Sequence, residues 1–115
     1  MRNVELGILN VELVGFADFE LYYMIHIEGP VIKILPEKSG ISQSGREWRE
    51  RDVVIGYVAS LQYPKNAVVT FRGAQVDVVN QLGNGDAVGC DISIDAREWQ
   101  GRWFNTVVGY NLKKL

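Results

Sequence analysis

From residue 24 onward, turn residues cut the chain into short segments whose apolar positions alternate, and this punctuation restricts it to an all-β domain with one helical interruption. Ile25 and Ile27 alternate up to Gly29-Pro30. Val31, Ile32, Ile34 and Leu35 then resume in a changed phase, as a strand bent at a glycine or a bulge would. Pro36 ends this strand, and Glu37 to Gly45 reads as a polar, glycine-bounded loop. A second strand follows from Trp48 to Val58, then a turn around Tyr63-Pro64-Lys65-Asn66 and a third strand from Ala67 to Arg72. Val76, Val79 and Leu82 recur at helical spacing, which predicts one short helix over Gln75 to Leu82, closed by Gly83-Asn84-Gly85. Two strands remain, Ala87 to Glu98 and Arg102 to Leu112.

The register of that last pair can be argued from parity. In the fourth strand Val88, Cys90, Ile92, Ile94 and Ala96 occupy even positions, and Asp91, Ser93, Asp95 and Arg97 the odd ones. In the fifth, the even positions Phe104, Val108, Tyr110 and Leu112 form the apolar set. A three-residue loop of Trp99, Gln100 and Gly101, with Gly101 left-handed, brings both even sets to one face and sets Arg97 opposite Trp103 and Glu98 opposite Arg102. A two-residue Gln100-Gly101 turn would instead set Asp95 against Thr106 and Arg97 against Phe104, a poorer partition of polarity.

A length of 115 residues suits one core, and 47% hydrophobic with 23% charged residues describes a globular chain. One cysteine, Cys90, excludes an internal disulfide and suits a reducing cytoplasm. With one histidine, His26, neither a Cys-rich nor a His-rich metal site can be assembled, so no metal and no cofactor is expected. Cys90 reads as a small buried hydrophobe and His26 as a surface or satisfied residue. The net charge of −2 is uneven: residues 1 to 23 carry −3 and the remainder +1.

Residues 1 to 23 are expected to be an extension, either a strand and turn or a short helix, and residues 24 to 115 the folded domain, for which Met24 can serve as a start. Glu5 and Glu12 interrupt the apolar run, which argues against a secretory signal, and no membrane association is expected.

The order of three strands, a helix and two strands is that of an OB-fold, a five-stranded Greek-key barrel with its helix between strands three and four. Leu35-Pro36, Ser39-Gly40, Gly45, Trp48, Tyr63-Pro64-Lys65, Asp91-Ile92 and the run Arg97 to Phe104 resemble a family of small uncharacterised bacterial and phage proteins over about residues 25 to 113. That resemblance implies an OB-fold related to single-stranded DNA-binding proteins. Arg72-Gly73 stands where the family pattern has Trp-Gly, so an aromatic contact is not expected there.

The residues point the same way, because single strands are held by cations on phosphates and by exposed aromatic faces under bases. Arg46, Trp48, Arg49 and Arg51 form one basic-aromatic cluster, and Arg97, Trp99, Arg102 and Trp103 another, with Lys65 and Arg72 as further candidate phosphate contacts. Trp48 is the best suited to packing and Trp99 the best suited to exposure. Gly83-Asn84-Gly85 is a helix cap rather than a phosphate loop. Asp91 and Asp95 share a strand face with Ser93; they suit solvated carboxylates better than a metal or acid–base pair.

The leading expectation is a non-enzymatic, sequence-independent binder of single-stranded DNA, with RNA left open, working with replication, recombination or repair proteins. A homo-oligomer is expected from the weakly charged surface and adhesive aromatics. The alternative is a protein-interaction barrel; a nuclease using Asp91 and Asp95 ranks third.

Overall fold

The structure is a computed structural model that describes residues 24–58 and 60–115, together with strands β1 (Val4–Leu6) and β2 (Leu9–Val11). These two pair antiparallel, with Val4 opposite Val11. Every other expectation for residues 1–23 lies outside the described residues.

The remaining elements are β3 (Ile25–Ile34), β4 (Lys38–Ile41), β5 (Glu47–Val58), β6 (Lys65–Arg72), α1 (Gln75–Val79), β7 (Ala87–Trp99) and β8 (Arg102–Lys114). Neighbours run β3-β7-β8-β6-β5, and β3 also pairs with β5, so five strands close into a ring. One pairing, β6 with β8, is parallel; the rest are antiparallel. This is the OB-fold topology that the strand order implied.

Closure depends on β3 changing partner halfway. Ile25 to Pro30 pair with β7, whereas Val31 to Ile34 pair with β5 across an irregularity at Ile32. Glycine is required at this seam, because a Cβ on Gly29 would overlap the carbonyl of Gly56 on β5. Gly85 N–H donates to the Val31 carbonyl and Val31 N–H to the Asp86 carbonyl, which ties the loop after the helix to the bend.

Inside the ring Val31, Val53, Ile55, Val69, Phe71, Val88, Cys90, Ile92 and Leu112 form the core, with Val79 of α1 packed against one end. Cys90 is buried as expected, and that burial pushes its thiol pKa up to about 12, leaving it unreactive. The helix stops at Val79, yet i→i+3 bonds from Gln81 to Val78 and from Leu82 to Val79 carry the chain one turn further. Val76, Val79 and Leu82 therefore face the barrel as their spacing predicts. Residues expected to form a plain loop at 37–45 instead contain β4, which makes a hairpin with the start of β5 around Ser42–Gly45.

The expected register of the last hairpin is wrong. Gln100 and Gly101 both have positive φ, 51° and 77°, so they make a two-residue turn whose twist matches the strands. Arg97 accordingly lies opposite Phe104, Glu98 opposite Trp103 and Trp99 opposite Arg102. Parity is reset by a bulge further along: Asn111 is left-handed at φ 53°, and two residues of β8 oppose Cys90. The amide of Leu112 is taken by Gln75 Oε1 at 2.9 Å. Leu112 thus points inward while Gly109 and Val107 supply the rest of the inner face, and Val108, Tyr110 and Phe104 turn outward. A Cβ on Gly109 would come within 2.7 Å of Val69 Cγ1 and meet the Phe71 ring, so this inward position has room only for glycine.

On the outside, β3 and β7 are clasped by His26. Its Nδ1 lies 3.0 Å from Asp91 Oδ1 and its Nε2 lies 2.9 Å from Glu28 Oε2, while Asn111 Nδ2 donates to Asp91 Oδ2 at 3.0 Å. Both ring nitrogens can donate only in the imidazolium, so hydrogen bonds to Glu28 and Asp91 raise the His26 pKa. The Asn111 and His26 hydrogen bonds lower that of Asp91.

Phe71→Ala should cost about 3–5 kcal/mol, as truncation of a buried aromatic does, and Gly109→Ala about 1–3 kcal/mol through overpacking. Phe104→Ala should stay within about 1 kcal/mol, because the ring is 43% exposed; urea unfolding of the three variants orders them. The clasp has its own pH signature. A raised histidine contributes stability that is full below its unfolded pKa of about 6.5 and lost as pH rises through the folded value. The lowered aspartate contributes above about 3.8 and loses it as pH falls through its folded value. Stability from the clasp should therefore peak between about pH 4 and 6.5, by well under 1 kcal/mol at so exposed a site, and His26→Gln should flatten the difference in urea midpoint between pH 5.5 and 8.5.

Candidate functional site

β7 and β8 are longer than the ring requires. β3 pairs with β7 only as far as Ile92, and β6 meets β8 at Thr70–Val108, but the two strands continue together to the turn at Gln100–Gly101. Residues 94–105 are exposed on both faces, so the hairpin stands out from the barrel as an arm. Its aromatic side chains have no core to enter: Trp99 is 62% and Trp103 67% exposed.

Pairing fixes which side each arm residue occupies. Arg97 with Phe104, and Trp99 with Arg102, share the face continuous with the outside of the barrel. The guanidinium of Arg102 stands over the Phe104 ring, 5.6 Å from its centroid. Glu98 and Trp103 lie on the opposite face, which continues the line of Ile92 and Ile94. Among the described residues neither Arg97 nor Arg102 makes an ion pair.

The other cluster is divided by the strand it occupies. Trp48 faces outward, opposite Gly40, with its ring lying where a Cβ on that glycine would be, so it packs on β4 and remains 45% exposed. Arg46 is exposed beside it at the end of the hairpin. Arg49 and Arg51 are engaged by the helix: Arg49 Nη2 donates to Asp77 Oδ2 at 2.8 Å, and Arg51 donates to the Leu35 carbonyl at 2.7 Å and to Asn80 Oδ1 at 2.8 Å. The Arg49 hydrogen bond holds the Asp77 carboxyl below its usual range and raises the arginine in return. Arg72 lies beside Glu50 at 3.4 Å, on the outer face.

The two clusters are not brought into one patch. β6 runs parallel to β8 and antiparallel to β5, so Trp48, Arg72 and the helix sit at one end of the strands, while the arm tip and Lys65 sit at the other, about 30 Å away at ~3.3 Å per residue. Between them the outer face of β5, β6 and β8 carries Glu50 with Arg72, Thr70 donating to Asp52 at 2.7 Å, the Val54–Val68 pair, and Val108.

The sequence reading missed Phe104, which it placed in the core, and Tyr63, which is exposed on the loop leading to Lys65. The Gln100-Gly101 dipeptide was the signal for the first; nothing in the pattern marked the second. Asp91, weighed as part of an acid–base or metal pair with Asp95, is bound to His26 and Asn111 instead. Among the described residues no three His, Cys, Asp or Glu side chains are grouped to hold a metal.

Solved structures place this architecture among OB-folds. The mitochondrial single-stranded DNA-binding protein of S. cerevisiae superposes with a TM-score of 0.56 at 10% identity, over 80% of this chain and 94% of its own. The second OB-fold domain of replication protein A from Methanococcus maripaludis gives 0.58 at 12% identity, over 78% of this chain and 81% of that domain. At such identities the likeness establishes the fold alone. No curated protein matches the sequence. The family model described as "Domain of unknown function (DUF3127)" matches residues 26–113, and the chain belongs to that family.

Proposed function

We propose that this protein is a non-enzymatic OB-fold module that binds single-stranded DNA with little sequence preference, in DNA replication, recombination or repair. The observation that carries this reading is the arm: aromatic rings outside any core, interleaved with arginines that have no acidic partner among the described residues. Bases stack on exposed aromatic faces whatever their sequence, and cations neutralise the phosphates between them. Trp99 and Phe104 supply the stacking faces, Arg97, Arg102 and Lys65 the phosphate contacts. The strand then crosses the outer face toward Arg72, Trp48 and Arg46. Arg49 and Arg51 hold the helix in place and contribute little to the contact. Two structural neighbours, a mitochondrial single-stranded DNA-binding protein and an OB-fold domain of replication protein A, lend this reading support at the level of the fold.

A fluorescence titration with labelled oligo-dT, oligo-U and duplex DNA tests it. Single strands should bind better than duplex, and log K should fall with log salt by about 0.7 for each phosphate neutralised. Trp99→Ala should weaken oligo-dT binding by about 1–3 kcal/mol while leaving thermal melting almost unchanged. Arg102→Ala should reduce the salt slope by one phosphate's share, whereas Arg49→Ala should lower stability more than affinity. Absence of binding at low ionic strength, or tight binding indifferent to salt, would overturn the reading in favour of a protein partner.

A further inference from the structure

The arm has two strand edges that nothing described in the chain covers. β8 is unpaired outside the hairpin from Arg102 to about Thr106, and β7 from Ser93 to Trp99. An uncovered strand presents a row of backbone donors and acceptors that another strand can take up, and such edges are normally blunted by charge, proline or a bulge. Ser93–Trp99 has neither proline nor bulge, carries the charges Asp95, Arg97 and Glu98, and extends for about 23 Å at ~3.3 Å per residue.

We infer that the β7 edge of the arm, Ser93–Trp99, pairs antiparallel with the same edge of a second copy about a two-fold axis at Ala96. The charges select this edge and this register. With Ala96 opposite Ala96, Asp95 of each copy lies opposite Arg97 of the other, on one face, and both are exposed without an ion-pair partner in the described chain. A slip of two residues in either direction sets Arg97 against Arg97 or Asp95 against Asp95, which like-charge repulsion disfavours. The β8 edge, with Arg102 as its one charge among Arg102–Thr106, offers no such complement. Pairing would join the two hairpins into one four-stranded sheet, an isologous contact that closes as a dimer. No phosphate or base enters this inference, but it engages Arg97, which the nucleic-acid reading counts among its phosphate contacts, so it is tested without DNA.

Charge exchange tests it on the full chain without DNA. Sedimentation equilibrium should show a dimer for the unaltered protein. Asp95→Arg and Arg97→Asp should each raise its dissociation constant by about tenfold or more, since each converts both symmetry-related pairs to like charges. The double exchange restores complementarity and should return the constant to within about threefold of the starting value. A monomer at all concentrations, a dimer indifferent to the single exchanges, or a double exchange no better than the singles would overturn it. Amide hydrogen exchange at Ser93–Trp99 gives a second reading. Protection that rises with protein concentration supports the pairing; protection independent of concentration means that the chain covers its own edge, and overturns it. Circular dichroism and melting of each variant confirm that the barrel is intact.

Discussion

Everything else in this molecule depends on β3 serving two partners. A five-stranded ring this small closes only if one strand leaves its neighbour on one side and meets another across the seam, and the leaving must happen within a few residues. Gly29 lets the two backbones approach at that point, the irregularity at Ile32 turns β3, and the loop at Gly85–Asp86 takes up the backbone of Val31. Once the ring is shut, its inner face is fixed, and the inward strand residues follow from the pleat, except that the bulge at Asn111 resets the phase for Leu112. The outer face and whatever projects past the seam are then free of any duty to the core.

The arm is the part that projects. Among the described residues, beyond Ile92 and Val108 β7 and β8 have only each other, and their exposed side chains alternate between two sides. Past Val107, which still packs against the core, an apolar residue of the arm gains nothing from the barrel. The exposure of Trp99, Trp103 and Phe104 is therefore a direct result of strand length, and their ladder of backbone bonds holds them at defined spacing. A two-residue turn with both residues left-handed keeps the hairpin twisted in the sense of its strands.

Much of this was legible in the sequence. Strand order, the position of the helix and its three inward residues, the burial of Cys90 and the bend at Gly29-Pro30 all follow from spacing and from turn chemistry. Parity failed in β8 because one left-handed residue, Asn111, shifts the phase, and asparagine in a strand gives no advance sign of it. Phe104 was assigned to the core on the same parity, which assumes that a strand stays in its barrel to the end. Arg49 and Arg51 looked like part of a surface cluster because their partners, Asp77 and Asn80, come from another element far along the chain. Local composition records which cations exist but not which are already engaged.

The two ends of the barrel therefore make different demands on the same residue types. At the helix end an opening must be closed, and arginine is well suited because its planar fork can bridge a helix carboxylate, an amide side chain and a loop carbonyl while its stem covers apolar surface. Asp77 offsets the charge of Arg49, whereas Arg51, held by an amide oxygen and a carbonyl, keeps its charge but has its donors engaged. At the arm end no helix of the described residues packs against the barrel. Ile25, Ile27, Ile92, Ile94 and Val107 line a pocket there, and on the outer face of the arm Arg102 meets the Phe104 ring rather than a carboxylate. A ring's quadrupole holds a cation weakly and leaves its hydrogen-bond donors unused, so the Arg102 guanidinium keeps its donors available. Among the described residues, Arg97 and Arg102 of the arm are thus arginines not committed to keeping the barrel closed.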